Sequence, residues 1–117
     1  MQLHELTVYQ LMDRLKNKEN TASEITLSYV KRIGEVEDQV KAFITRTEDL
    51  ALEQARSCDE KGSFLGICGI PYGLKDIICS RGVKTTAGSK ILGNFIPAYD
   101  ATVARTLREA GGILLGK

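Results

Sequence analysis

Apolar residues return at helical spacing through the first half of the chain, and the rhythm changes near residue 62. Val8, Leu11, Met12 and Leu15 form one stripe, and Thr7-x-x-Gln10 supplies a capping box at its start. Asn20-Thr21 breaks the pattern. Thr21-x-x-Glu24 then opens a second helix with Ile25, Tyr29, Ile33 and Val36 on one face, and Gly34 within it costs roughly 1 kcal/mol against alanine. Val40 to Thr45 is short, apolar and β-branched, which suits a strand. A third helix is predicted from Thr47 to Lys61, stopped by Gly62.

Beyond that point strands and turns alternate, and ten of the eleven glycines lie at or after residue 62. Gly69 to Cys79 reads as a strand or strand pair, Ser80-Arg81-Gly82 as a turn, and Val83 to Thr86 as extended chain. Ala87-Gly88-Ser89 is a small-residue loop. Asp100 is placed to cap a last helix with the stripe Val103, Ala104, Leu107 and Ala110, ended by Gly111-Gly112. Ile113-Leu114-Leu115 then begins an apolar strand of the kind buried on both faces, the second half of a parallel crossover. Such a strand calls for sheet partners and a further helix, so more chain is expected after Lys117. The fold class is α/β: N-terminal helices, then the first strands of a mixed sheet flanked by helices. A helical section spans 1–62 and a strand-rich section 63–117, both parts of one domain.

Bulk properties narrow the function. The 117 residues are 43% hydrophobic and 26% charged with a net charge of +1, which gives no electrostatic case for nucleic acid or an anionic membrane. No apolar run approaches the ~20 residues a membrane span needs, and the N-terminus lacks the sections of a signal peptide, so a cytoplasmic protein is expected. Cys58, Cys68 and Cys79 form no C-x-x-C, and His4 is the only histidine. Neither a zinc set nor a Cys-His dyad is implied, and Cys68 and Cys79 read as small core residues in a reducing compartment.

Three segments could carry chemistry. In Gly69-Ile-Pro-Tyr-Gly-Leu-Lys75-Asp76, alternating apolar residues carry Lys75 into or beside a core. A buried lysine is costly unless paired or neutral, and a neutral lysine is a base. The other reading is a strand-end lysine that lays its methylenes on apolar surface and keeps its ammonium in water. Gly111 to Lys117 matches G-x-x-x-x-G-K, but that motif needs a preceding strand, a following helix and a hydroxyl residue after the lysine. Here a helix precedes, so phosphate binding is rejected. Thr85-Thr86-Ala87-Gly88-Ser89 sets three hydroxyls in one loop, able to approach an anion or simply to turn. With no G-x-S-x-G elbow and no Ser-His-Asp set, Ser89 lacks a base.

The block around Lys75 resembles the first motif of the amidase signature family. The likeness continues through Gly82-Val-Lys-Thr-Thr-Ala-Gly-Ser-Lys-Ile-Leu and Asn94-Phe-Ile-Pro-Ala-Tyr-Asp-Ala-Thr-Val to Ala110-Gly-Gly-Ile-Leu-Leu-Gly-Lys, so it covers Gly66 to Lys117. One departure is visible: the family commonly has Asn after Lys-Asp, and here Ile77 stands there. The resemblance implies an amidase signature fold of which residues 1–117 are the N-terminal part. It implies a serine nucleophile, a bridging serine and a lysine, with Lys75 as that lysine. The serines belong to a Gly/Ser-rich block beyond the last strand of this chain, so the chain alone is expected to be inactive.

Within the family, the order and spacing are most like the glutamine-hydrolysing subunits of tRNA-dependent amidotransferases. That likeness implies ammonia release from glutamine, passed to a B subunit that activates the glutamate of Glu-tRNA(Gln), or the aspartate of Asp-tRNA(Asn), with ATP and magnesium. A small C subunit completes the complex. It implies no cofactor or metal in this chain itself. The alternatives are a stand-alone amidase of the same family and a non-catalytic interaction module, the latter disfavoured by an uncovered apolar strand.

Overall fold

A computed structural model describes residues 1–117. After a 3₁₀ turn at Leu3–Glu5 come helices α1 (Val8–Lys16), α2 (Ala22–Val40) and α3 (Glu48–Lys61), strand β1 (Pro71–Gly73), helix α4 (Thr102–Glu109) and strand β2 (Ile113–Gly116). Both predicted capping boxes form: Thr7 and Thr21 accept from the N3 amides of α1 and α2, and Gln10 and Glu24 reach back. The N-terminus of α2 is held a second time. The Asp59 carboxylate on α3 accepts from Ala22 N at 2.7 Å, Ser23 N at 3.0 Å and Ser23 Oγ at 2.6 Å. An anion at this end of a helix stabilises it by about 0.3–1 kcal/mol. Gly62, with φ 64°, closes α3.

The two strands lie side by side in parallel, with Pro71 opposite Ile113 and Tyr72 opposite Leu114, and α4 in the crossover between them. Alternation along β2 builds two cores. Ile113 and Leu115 join Leu11, Leu15, Ile25, Ala51, Ala55 and Cys58 from the three N-terminal helices. Leu114 joins Leu74 and Ala104 on the other side, where α4 packs. All four residues of β2 are buried, as the apolar run predicts.

The strands are shorter than the sequence suggests. Residues 40–45 do not form a strand of their own, because α2 continues to Val40 and ends on Lys41 in the left-handed conformation, φ 51°. The chain then runs antiparallel to β2 on its free edge: Ile44 N donates to Lys117 O, Lys117 N to Thr45 O, and Thr47 N to Leu115 O, at 2.8, 2.8 and 3.0 Å. This antiparallel contact is a single bridge, Arg46 to Gly116, so the sheet itself is the two-stranded parallel pair rather than the mixed sheet expected. The crossing is so close that a Cβ on Gly116 would sit 2.6 Å from Thr45 O and 2.7 Å from the Phe43 ring, so only glycine fits.

Similarly, Gly69–Cys79 is not one strand. The ladder ends with Leu74 N donating to Gly116 O at 3.0 Å, and Ile78 N then donates to Lys75 O in a turn. Asp76 gives the reason: it is buried, and the chain must bend to bring it to its partners on Thr86. Asp100 does not cap α4 either. Ala101 holds the cap position, while the Asp100 carboxylate accepts from Arg81 N at 2.8 Å and pairs with Arg108.

Candidate active site

Lys75 stands two residues beyond β1. Alternation carries Leu74 into the α4-side core, turns Lys75 outward, buries Asp76 and exposes Ile77. The structure therefore places Lys75 beside the core rather than within it, on the wall of an open cleft of about 440 Å³. Phe43, Ile44, Asp76, Ile77 and Gly88 are among the residues that share the cleft. Its walls are unusually apolar for exposed surface, with Ile44 and Ile77 62% and 60% exposed.

The far wall is the loop at 85–89, fixed by Asp76. The Oδ2 atom of Asp76 accepts from Thr86 N at 3.0 Å and from the Thr86 hydroxyl, and Ala87 N donates to Asp76 O at 2.9 Å. Asp76 Oδ1 is buried with no partner. The three hydroxyls of this loop are all engaged within the chain. Thr85 Oγ1 accepts from Lys117 Nζ, Thr86 Oγ1 bonds Asp76, and Ser89 Oγ accepts from Ile91 N. The loop is a turn that shapes the cleft, with Ala87 in the left-handed region at φ 52°.

Lys117 is the residue that sequence reasoning misses. In the sequence it is only the end of a rejected phosphate motif, yet it is the buried lysine, 4% exposed. Its Nζ donates to Ile78 O at 2.6 Å, Thr85 Oγ1 at 2.8 Å and Ser80 Oγ at 3.0 Å. Three acceptors match the three donors of an ammonium. Burial holds its pKa below the ordinary lysine value, against the opposing charges of Asp76 and Cys79. Lys117 thus ties the end of β2 to the segment that follows Lys75. The available signal is weak: a lysine directly after a buried strand, with hydroxyl residues far off in sequence at 80 and 85.

Cysteine placement also differs from expectation. Cys58 on the inner face of α3 is the buried one, while Cys68 and Cys79 are half-buried, and all three are free thiols. No three His, Cys, Asp or Glu side chains group so as to hold a metal ion. No helix is long and apolar enough to cross a membrane.

Known proteins match this arrangement. The family model described as Amidase matches residues 24–117. In Syntrophomonas wolfei, the A subunit of glutamyl-tRNA(Gln) amidotransferase is 50% identical over 117 residues, which is all of this chain and 24% of that protein. Its namesake in Thermoanaerobacter pseudethanolicus is 48% identical over 120 residues, again all of the chain and 25% of that protein. Among solved structures, the native peptide amidase from Stenotrophomonas maltophilia superposes with a TM-score of 0.88 at 35% identity, over 97% of this chain and 24% of that one. The chain therefore spans about a quarter of the length of the relatives it matches.

Proposed function

The chain belongs to the amidase family, and from that premise we propose that it is the N-terminal part of the glutamine-hydrolysing component of a tRNA-dependent amidotransferase, with Lys75 as the base. The observation that carries the reading is where Lys75 stands. Its amine is free of the core, on a cleft whose lining isoleucines are more than half exposed. Such apolar walls suit a surface that the rest of a relative-sized polypeptide would cover.

In the proposed reaction, neutral Lys75 takes a proton from a bridging serine, which in turn activates a serine nucleophile. Attack on the side-chain amide of glutamine gives an acyl-enzyme and releases ammonia. Both serines come from the part of the protein beyond this chain. Covering the cleft has a chemical purpose. Keeping an ordinary lysine neutral at pH 7 costs about 4.6 kcal/mol, from roughly 3.4 pH units at 1.36 kcal/mol each. Exclusion of water and nearby groups must supply it. Ammonia then passes to a B subunit, which uses ATP and magnesium to activate the glutamate or aspartate on a misacylated tRNA, and a C subunit completes the complex.

The second reading, a stand-alone amidase, is favoured by the likeness to the peptide amidase, but the amidotransferase relatives are more similar in sequence, at 50% against 35% identity. One assay separates them. The complete polypeptide, assembled with its partners, is expected to release ammonia from glutamine and to amidate misacylated tRNA in an ATP-dependent way. Hydrolysis of small or peptide amides by the lone polypeptide, with no glutamine turnover in the complex, would establish the other reading.

A further inference from the structure

Two of the three thiols meet, and nothing in amide hydrolysis uses them. Cys58 follows Ala51 and Ala55 along the inner face of α3, and Cys68 lies in the turn at 66–69 that leads to β1. Their Sγ atoms are 3.7 Å apart, and Cys58 Sγ also approaches the Gly111 carbonyl at 3.5 Å. Gly111 makes the room: a Cβ there would fall 2.7 Å from Cys68 Sγ and 3.0 Å from Cys68 Cα, and its φ is 85°. Three segments of chain therefore converge on one pair of sulfurs.

We propose that Cys58 and Cys68 form a reversible disulfide when the protein meets a peroxide. The sulfurs must close from 3.7 Å to the bonded distance of about 2.05 Å. Cys58 is fixed in a helix, so the turn carrying Cys68 makes the movement. Cys79 is the internal contrast, since its Sγ lies 3.6 Å from the Tyr99 hydroxyl and no sulfur faces it.

Exposure assigns the roles. Half-buried Cys68 meets the oxidant, and buried Cys58 resolves it. In the first step Cys68 sulfur attacks a peroxide oxygen. The O–O bond breaks, an S–O bond forms, and the thiol proton leaves with the departing hydroxide as water. In the second, Cys58 sulfur attacks Cys68 sulfur, the S–O bond breaks, and hydroxide leaves with the Cys58 proton as a second water. Two thiols lose two electrons and one peroxide becomes two waters. Burial pushes the Cys58 thiol up to about 11, helped by the Cys68 thiol and opposed by the Gly69 amide and the Lys61 ammonium. Because the thiolate is the nucleophile, the second step should be slow at neutral pH and quicken about tenfold per pH unit below that value.

Trypsin makes the test direct, because cuts after Arg56, Lys61, Lys75 and Arg81 put the three cysteines on separate peptides, 57–61, 62–75 and 76–81. The complete polypeptide is treated with hydrogen peroxide at pH 7, 8 and 9, alkylated, digested without reductant and weighed by mass spectrometry. The expected product joins 57–61 to 62–75, two hydrogens lighter than their sum. It should form about tenfold faster per pH unit, vanish with dithiothreitol and with Cys68→Ser, and persist in Cys79→Ser. Recovery of both peptides as alkylated thiols, sulfinic acid on 62–75 without the joined species, or preferential joining to 76–81 would overturn the proposal.

Discussion

Lys75 and Lys117 show how position decides what a lysine does. Lys117 emerges from a buried strand, is only 4% exposed, and gives its Nζ three oxygen acceptors in place of bulk water. Lys75 emerges one residue past the β ladder and turns out to a cleft. Nothing local in the sequence distinguishes the two. The partners of Lys117 lie 32 to 39 residues away, beyond any motif. Replacing Lys117 by methionine removes the desolvated charge but leaves Ile78 O and two hydroxyls without their donor. Unpaired buried groups cost about 1–3 kcal/mol. Denaturant titration of Lys117→Met should show a loss of that size, whereas unchanged stability would mean the segment at 78–85 is held by other means.

Among the elements, the helices are the most legible in the sequence. Each of α1 and α2 announces itself by a capping box and a periodic stripe, signals contained within a few residues, and both form as read. The strands are legible as apolar runs but not in length, because their ends are set by long-range demands: the buried Asp76 and the crossing at Gly116. The start of α4 escapes the sequence for a related reason. Asp100 has the chemistry of an N-cap, but its carboxylate is taken by Arg81 N and Arg108. Although burial alone would raise its pKa, the Arg81 amide and the Arg108 guanidinium prevail and hold it below the ordinary carboxylate value.

A carboxyl whose folded value is lowered stabilises the fold above its unfolded value of ~3.9, and the contribution drains away as pH falls through the folded value. Asp100→Asn should therefore cost about 1 kcal/mol at neutral pH. The gap between variant and wild type should shrink below about pH 4. A gap that stays constant in acid would show that the loss is not one of charge.

At the scale of the molecule, the parallel crossover β1–α4–β2 is what turns a local sequence block into a site. It sets β1 beside the fully buried β2 in parallel, so that Lys75 and Lys117 both leave the sheet at its C-terminal end. The α/β class and the succession of the four helices follow from periodicity, whereas the strand expected at 40–45 does not form. The cleft does not, because its walls come from the ends of α2, β1, β2 and the 85–89 loop, segments with no shared signal in the chain. Likewise, the alternation of residues 70–74 points to Lys75 at the margin of a core, but only the fold shows an open cleft beside it. The central claim is that this amine moves the proton that activates the nucleophile for glutamine. It is tested most directly by Lys75→Met in the complete, assembled enzyme, assayed for tRNA amidation with glutamine and, separately, with free ammonium. The account predicts that the glutamine-driven reaction is abolished while the ammonium-driven reaction persists at the wild-type rate. Glutamine-driven turnover that survives the substitution, or equal loss of both reactions, would contradict it.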